Sequence, residues 1–182
     1  ETKIAVLIPS LSPDEKLVQA VREIREAGFE RILLVNDGST TEYDGFFEAA
    51  KELGATVLRH AVNQGKGRAL KTGFHYILTE WQDCCGVITA DSDGQHRPED
   101  LLKCRDALLK NNDALILGCR DFKKKDVPFR SRFGNRCTSL MMKLFVGVTL
   151  SDTQTGLRAF SAERMRAYLT VAGERFEYET NM

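Results

Sequence analysis

Residues 86–96 read GVITADSDGQH, an apolar run that ends in two carboxylates one residue apart, Asp91 and Asp93. The run is continuously apolar and bounded by glycine and aspartate, which is the pattern of a strand covered on both faces. The same signature recurs on either side of it. Lys3–Ile8, Arg31–Val35, Ala55–Leu58 and Ala114–Gly118 are short, apolar and bounded by Pro, Gly, Asn or Asp. Helical spacing fills the intervals. Leu17, Val21 and Ile24 follow Pro13-Asp14-Glu15 and stop at Gly28; Phe46, Phe47, Ala50 and Leu53 stop at Gly54; Ala69, Gly73 and Ile77 mark a third helix. Pro98-Glu99-Asp100 opens a fourth, with proline early and acids in the first turn. This βαβα order predicts an α/β fold with a mostly parallel, right-handed wound sheet flanked by helices. After Arg120 the rhythm changes to a basic loop, a helical Arg132–Phe145 segment, the stretch DTQTGLRAF and a short helix.

The 182 residues suit one domain, since domains commonly run to roughly 100–200 residues. A hydrophobic content of 42% with 29% charged residues is ordinary for a globular chain and excludes extensive disorder. No apolar run approaches the roughly 20 residues of a membrane helix. The chain starts at Glu1 and stops at Met182 directly after a charged, aromatic stretch, so a single domain over 1–182 that is C-terminally truncated is expected. The five cysteines are odd in number, several lie in apolar runs, and no CxxC pair or histidine cluster gives a zinc spacing. A reducing compartment follows. Net charge is zero, which argues against a general nucleic-acid binder. Charge is nevertheless uneven: Arg120, Lys123, Lys124, Lys125, Arg130, Arg132 and Arg136 face only Asp121 and Asp126.

In a wound parallel sheet, ligands bind beyond the carboxyl ends of the strands. Three loops expected there carry polar chemistry: Asn36-Asp37-Gly38-Ser39-Thr40, Asn63-Gln64-Gly65-Lys66-Gly67-Arg68 and the Asp91–His96 turn. Each has a plainer reading. Asp-Gly-Ser-Thr suits a turn or helix cap, and Gln-Gly-Lys-Gly suits a flexible basic turn. The latter is not a Walker A loop, and Leu70 stands where the dinucleotide fingerprint needs glycine or alanine. A calcium loop is excluded at the third, because His96 and Leu102 occupy the positions that need glycine and glutamate. Mg2+ or Mn2+ carried with a phosphate fits Asp91 and Asp93 better, since such ions take one or two carboxylates plus phosphate oxygens. Gln95 could add a neutral ligand. Lys66 and Arg68, with backbone amides freed by two glycines, would suit a diphosphate. The basic 120–136 segment could clamp another phosphate, lie on an anionic membrane or simply be solvated.

Taken in order, VNDGST, NQGKGRALKTG, DSDGQH with the following Pro-Glu-Asp, GCR, DTQTGLRAF and ERFEYETNM resemble the family 2 glycosyltransferases. The similarity is greatest to the dolichyl- and polyprenyl-phosphate hexose synthase branch and covers almost the whole chain. It implies a GT-A fold, a Rossmann-like nucleotide-diphospho-sugar transferase architecture, with a nucleotide-diphosphate sugar donor, a divalent cation and inversion at the anomeric carbon. By this resemblance Pro9 and Asp37 line the nucleobase and ribose pocket, and Lys66 lies near the nucleotide. Asp91 faces the nucleoside and metal, Asp93 and Gln95 ligate the metal, and Arg120 contacts phosphate. Asp152 takes the place of the candidate catalytic base, with Gln154, Thr155 and Arg158 in the same motif and Arg130 and Arg132 on the acceptor side. The expected acceptor is a lipid phosphate, met at the cytoplasmic face of the membrane with peripheral contact through residues 120–136. The first loop, PSLSPDE, departs from the family pattern of an aromatic residue or asparagine directly before the acid. Rival readings are a saccharide hydroxyl acceptor, an inactive nucleotide-sugar-binding domain and, more weakly, a nucleotidyltransferase.

Overall fold

The computed structural model describes residues 3–94, 96–111, 115–118 and 157–182. Strands β1 (Lys3–Ser10), β2 (Arg31–Asn36), β3 (Thr56–Arg59), β4 (Cys84–Thr89), β5 (Ile116–Leu117) and β6 (Arg158–Ser161) form one sheet in the order β3-β2-β1-β4-β6-β5. The first four are parallel to one another, and β6 runs antiparallel to both neighbours. The helices are α1 (Glu15–Glu26), α2 (Asp44–Glu52), α3 (Lys66–Glu80), α4 (Pro98–Lys110), α5 (Ala162–Tyr168) and α6 (Glu177–Asn181). The α/β architecture with a mostly parallel central sheet is thus the one expected.

Alternation along each strand divides the core in two. Ile4, Val6 and Ile8 of β1 point to one face, where they meet Leu17 and Val21 of α1, Phe47 of α2 and Leu101 and Leu108 of α4. Ala5 and Leu7 point to the other, against Leu70, Phe74 and Ile77 of α3, Met165 of α5 and Tyr178 of α6. Helix ends follow the capping signals. The Asp14 side chain accepts from the Lys16 amide, Pro98 opens α4, and Gly28 leaves α1 with φ +91°.

Two differences from the sequence reading matter for the site. Helix α3 begins at Lys66, so this lysine sits on a helix rather than in a free loop. The DTQTGLRAF stretch contributes β6, which the sequence did not announce as a strand because its apolar run is short and led by an arginine. Being antiparallel, β6 starts at the edge where β4 ends, with Arg158 opposite Thr89. That reversal delivers Arg158 to the carboxyl edge.

The segment around α6 packs onto the start of α3 at backbone distance. A Cβ on Gly67 would lie 2.8 Å from the Glu174 carbonyl carbon and 2.6 Å from Tyr178 Cβ, whereas one on Gly45 in α2 would meet nothing within 4 Å among the described residues. Gly67→Ala is therefore expected to lose about 1–3 kcal/mol by overpacking in urea unfolding. Gly45→Ala should gain about 0.5–1 kcal/mol through helix propensity.

Candidate functional site

A cleft of about 640 Å³ opens at the carboxyl edge, lined by Pro9, Ser10 and Leu11 after β1, Asp37 after β2, Asn63, Gly65 and Lys66 before and at the start of α3, and Asp91, Ser92 and Asp93 after β4. Arg158 at the start of β6, with Arg175, Phe176, Glu179 and Thr180 in and just before α6, completes the lining. The structure thus brings together Pro9, Asp37, Lys66, Asp91, Asp93 and Arg158. Gln95, Arg120, Arg130, Arg132, Asp152, Gln154 and Thr155 lie outside the described residues.

Asp37 is buried and fully engaged. Its Oδ1 accepts from the Gln64 amide at 3.0 Å and lies 2.7 Å from His60 Nδ1, and its Oδ2 accepts from the Gly65 amide at 2.8 Å. The far side of the His60 ring is 2.9 Å from Thr72 Oγ1. This corrects one expectation: the Gly65 amide is not free for a diphosphate, because the Asp37 carboxylate has taken it to fix the loop leading into α3. Gly65 itself has φ +100°, and a Cβ there would sit 2.6 Å from the Glu174 carbonyl oxygen. Only glycine meets both demands. The first two loops are likewise joined, for Ser12, in a left-handed φ of 50°, donates its amide to Ser39 Oγ at 2.9 Å.

Lys66 ties the cleft together. Its Nζ is 2.7 Å from Asp91 Oδ1 and 2.7 Å from Glu179 Oε2. Burial alone would lower its pKa, but the Glu179 and Asp91 charges overcome that and raise it. Burial likewise pushes the Asp91 carboxyl up; the His96 ring, 3.5 Å from Oδ2, and the Lys66 ammonium reverse this and hold it well below the usual carboxylate range. Glu179 also faces a second cation. Arg158 Nε is 4.0 Å from its Oε1, and the Arg158 guanidinium donates to its backbone carbonyl.

Sequence reasoning missed His96, Arg175, Phe176 and Glu179. The motif ERFEYETNM carries three of them, yet only folding shows that they reach the cleft. Around the cleft, four carboxylates (Asp37, Asp91, Asp93, Glu179) face three cations (Lys66, Arg158, Arg175). Asp91 and Asp93 therefore fit an ion that needs few protein ligands and brings phosphate oxygens with it. Among the described residues there is no cluster of three or more His, Cys, Asp or Glu that would hold a metal alone.

The family model for glycosyl transferase family 2 matches residues 5–169. The chain belongs to this family. Curated relatives include a UDP-N-acetylglucosamine–dolichyl-phosphate N-acetylglucosaminyltransferase of Methanococcus voltae, 26% identical across 90% of this chain and 71% of its own length. An undecaprenyl-phosphate mannosyltransferase of Micrococcus luteus is 27% identical across 91% of this chain and 69% of its own. The fold is GT-A. It matches the glucosyl-3-phosphoglycerate synthase of Mycobacterium tuberculosis, solved with Mn2+, UDP and glucosyl-3-phosphoglycerate, with a TM-score of 0.73 at 18% identity. That match covers 98% of this chain, which spans 62% of the solved one.

The Lys66 tie has a defined pH window. A carboxyl held below its ordinary 3.8 contributes stability that is complete above about pH 4 and fades as pH falls toward its folded value. A lysine raised above 10.5 contributes fully below that value and loses it as pH rises through the folded one. Lys66→Met is expected to cost about 1–3 kcal/mol, less than the roughly 3–5 kcal/mol of a fully buried pair. In urea unfolding the loss should be level between about pH 5 and pH 9 and shrink below about pH 4.

Proposed function

We propose that this chain is an inverting, metal-dependent hexosyltransferase that moves a hexose from a nucleotide-diphosphate sugar of the UDP-glucose or GDP-mannose type to polyprenyl or dolichyl phosphate. The observation that carries the reading is the convergence of Pro9, Asp37, Lys66, Asp91, Asp93 and Arg158 on one cleft at the carboxyl edge. Both relatives described above are named for polyprenyl-type phosphate acceptors, which supports the lipid phosphate. Mn2+ and UDP in the structural neighbour support the donor and the ion.

In this reading Asp93, on the exposed turn after β4, holds Mg2+ or Mn2+ together with Asp91 and Gln95. The chemistry such an ion supplies is neutralisation of the leaving diphosphate. Pro9 and Asp37 bound the nucleoside end. Lys66 places a second positive charge beside the bond that breaks between the anomeric carbon and the diphosphate oxygen, where negative charge develops. The acceptor attacks the opposite face of the sugar, which is what inverts it. A lipid phosphate oxygen is already anionic near neutral pH, so Asp152 orients the acceptor rather than removing a proton, with Gln154 and Thr155 beside it. Arg120, Arg130, Arg132 and Arg158 supply the countercharge for donor and acceptor phosphates. No described helix is long and apolar enough to cross a membrane. The basic 120–136 segment is suited to peripheral contact with a lipid acceptor's membrane at the cytoplasmic face.

Asp93→Ala is expected to leave the thermal unfolding midpoint near that of the wild type. Its Mn2+-dependent transfer of radiolabelled sugar to polyprenyl phosphate should fall by at least about a hundredfold, in line with loss of a charge-stabilising group. Near-normal turnover would refute the role. Product formed on an oligosaccharide but not on the lipid phosphate would replace the acceptor, and donor binding without turnover of any acceptor would reduce the chain to a binding domain.

A further inference from the structure

Glu179 belongs to α6 rather than to a strand-end loop, and no part of the donor chemistry above requires it. Its side chain is nevertheless only 12% exposed and lies between two cations of the cleft, Lys66 at 2.7 Å and Arg158 at 4.0 Å. Among the described residues its Oε1 has no hydrogen-bond partner, so the charge of this half-buried carboxylate is met mainly by those two groups. A carboxylate this enclosed costs stability unless its partners stay in place.

Lys66 has two anchors in this arrangement, Asp91 and Glu179. They differ in what donor binding does to them. On the donor reading above, Asp91 turns toward the metal when the nucleotide arrives, and its hold on Lys66 weakens. Glu179 has no such competitor. It sits on a helix whose seat against α3 is fixed by the fully buried Tyr178, and the Tyr178 hydroxyl donates to the Tyr168 carbonyl at 2.6 Å. The same segment is clamped to α3 through Arg68 and Lys71, which pair with Glu174 at 2.6 and 3.1 Å.

We infer that Glu179 is a positioning residue for the donor diphosphate. It keeps the Lys66 ammonium at the level of the Asp91 carboxylate after Asp91 has been given up to the metal. The inference rests on the proposed donor reading. Without Glu179, Lys66 has to be ordered at the moment of binding, and that ordering is charged against affinity.

The test is calorimetric titration of UDP and of GDP, each with Mn2+, into the intact protein and three variants. Whichever diphosphate the wild type binds should bind E179Q about tenfold more weakly, the size expected when one partner of a half-buried ion pair is lost. E179D, which keeps the charge, should recover part of that loss. In a K66M background, E179Q should cost nothing further, because its effect passes through Lys66. A purely structural Glu179 would instead weaken K66M again by the same factor. Unchanged affinity in E179Q, no recovery in E179D, or additive losses in the double variant would overturn the inference. A wild type that binds neither diphosphate with Mn2+ overturns the donor reading, and this inference with it.

Discussion

The Lys66 ammonium stands between the Asp91 and Glu179 carboxylates, 2.7 Å from each. Three parts of the chain meet at that nitrogen: the start of α3, the turn after β4 and the helix α6. Each carboxylate would be costly in this half-buried position without the cation, and the cation would be costly without them. The geometry that brings them together comes from elsewhere. Parallel β1, β2 and β4 all end at one edge, and the Asp37 carboxylate takes the Gln64 and Gly65 amides to aim the first turn of α3 at the same place.

This arrangement changes the electrostatic picture of the Asp91–Asp93 turn. Two neighbouring acids at a strand end suggest unrelieved repulsion that only a metal could quench. In the folded chain Asp91 is already paired with the Lys66 ammonium at 2.7 Å, so its charge is met without an ion. On the proposed donor reading, a divalent cation would compete for Asp91, and what it would displace is the ammonium best placed to meet the phosphates that come with it. Preorganisation of this kind keeps charged groups in position at little cost when the ligand binds.

Much of this was legible in the sequence because the signals were local. The apolar runs of β1, β2 and β4 read as covered strands, and the caps at Asp14, Gly28 and Pro98 marked helix ends. The three polar loops followed from strand direction alone. What could not be read depended on pairing between distant segments. The family resemblance singled out Arg158, but the route by which it reaches the cleft, β6 inserting antiparallel between β4 and β5, is not specified by the short Arg-Ala-Phe run. Asp37 looked like a turn residue or a ligand contact; its grip on the Gln64 and Gly65 amides and on His60 appears only when β2 and β3 lie side by side. Glu179 was one acid among several in a charged tail until α6 folded against α3.

The most direct test of the account is a crystal structure of the protein with UDP or GDP and Mn2+, with the metal located by its anomalous scattering. The account predicts one Mn2+ peak within coordination distance of Asp93 and of the diphosphate oxygens, Asp91 facing the metal, and Lys66 moved off Asp91 onto the diphosphate while still held by Glu179. A metal bound away from the Asp91–Asp93 turn, or a diphosphate seated with Lys66 still bridging Asp91 and Glu179 as it does here, would contradict it.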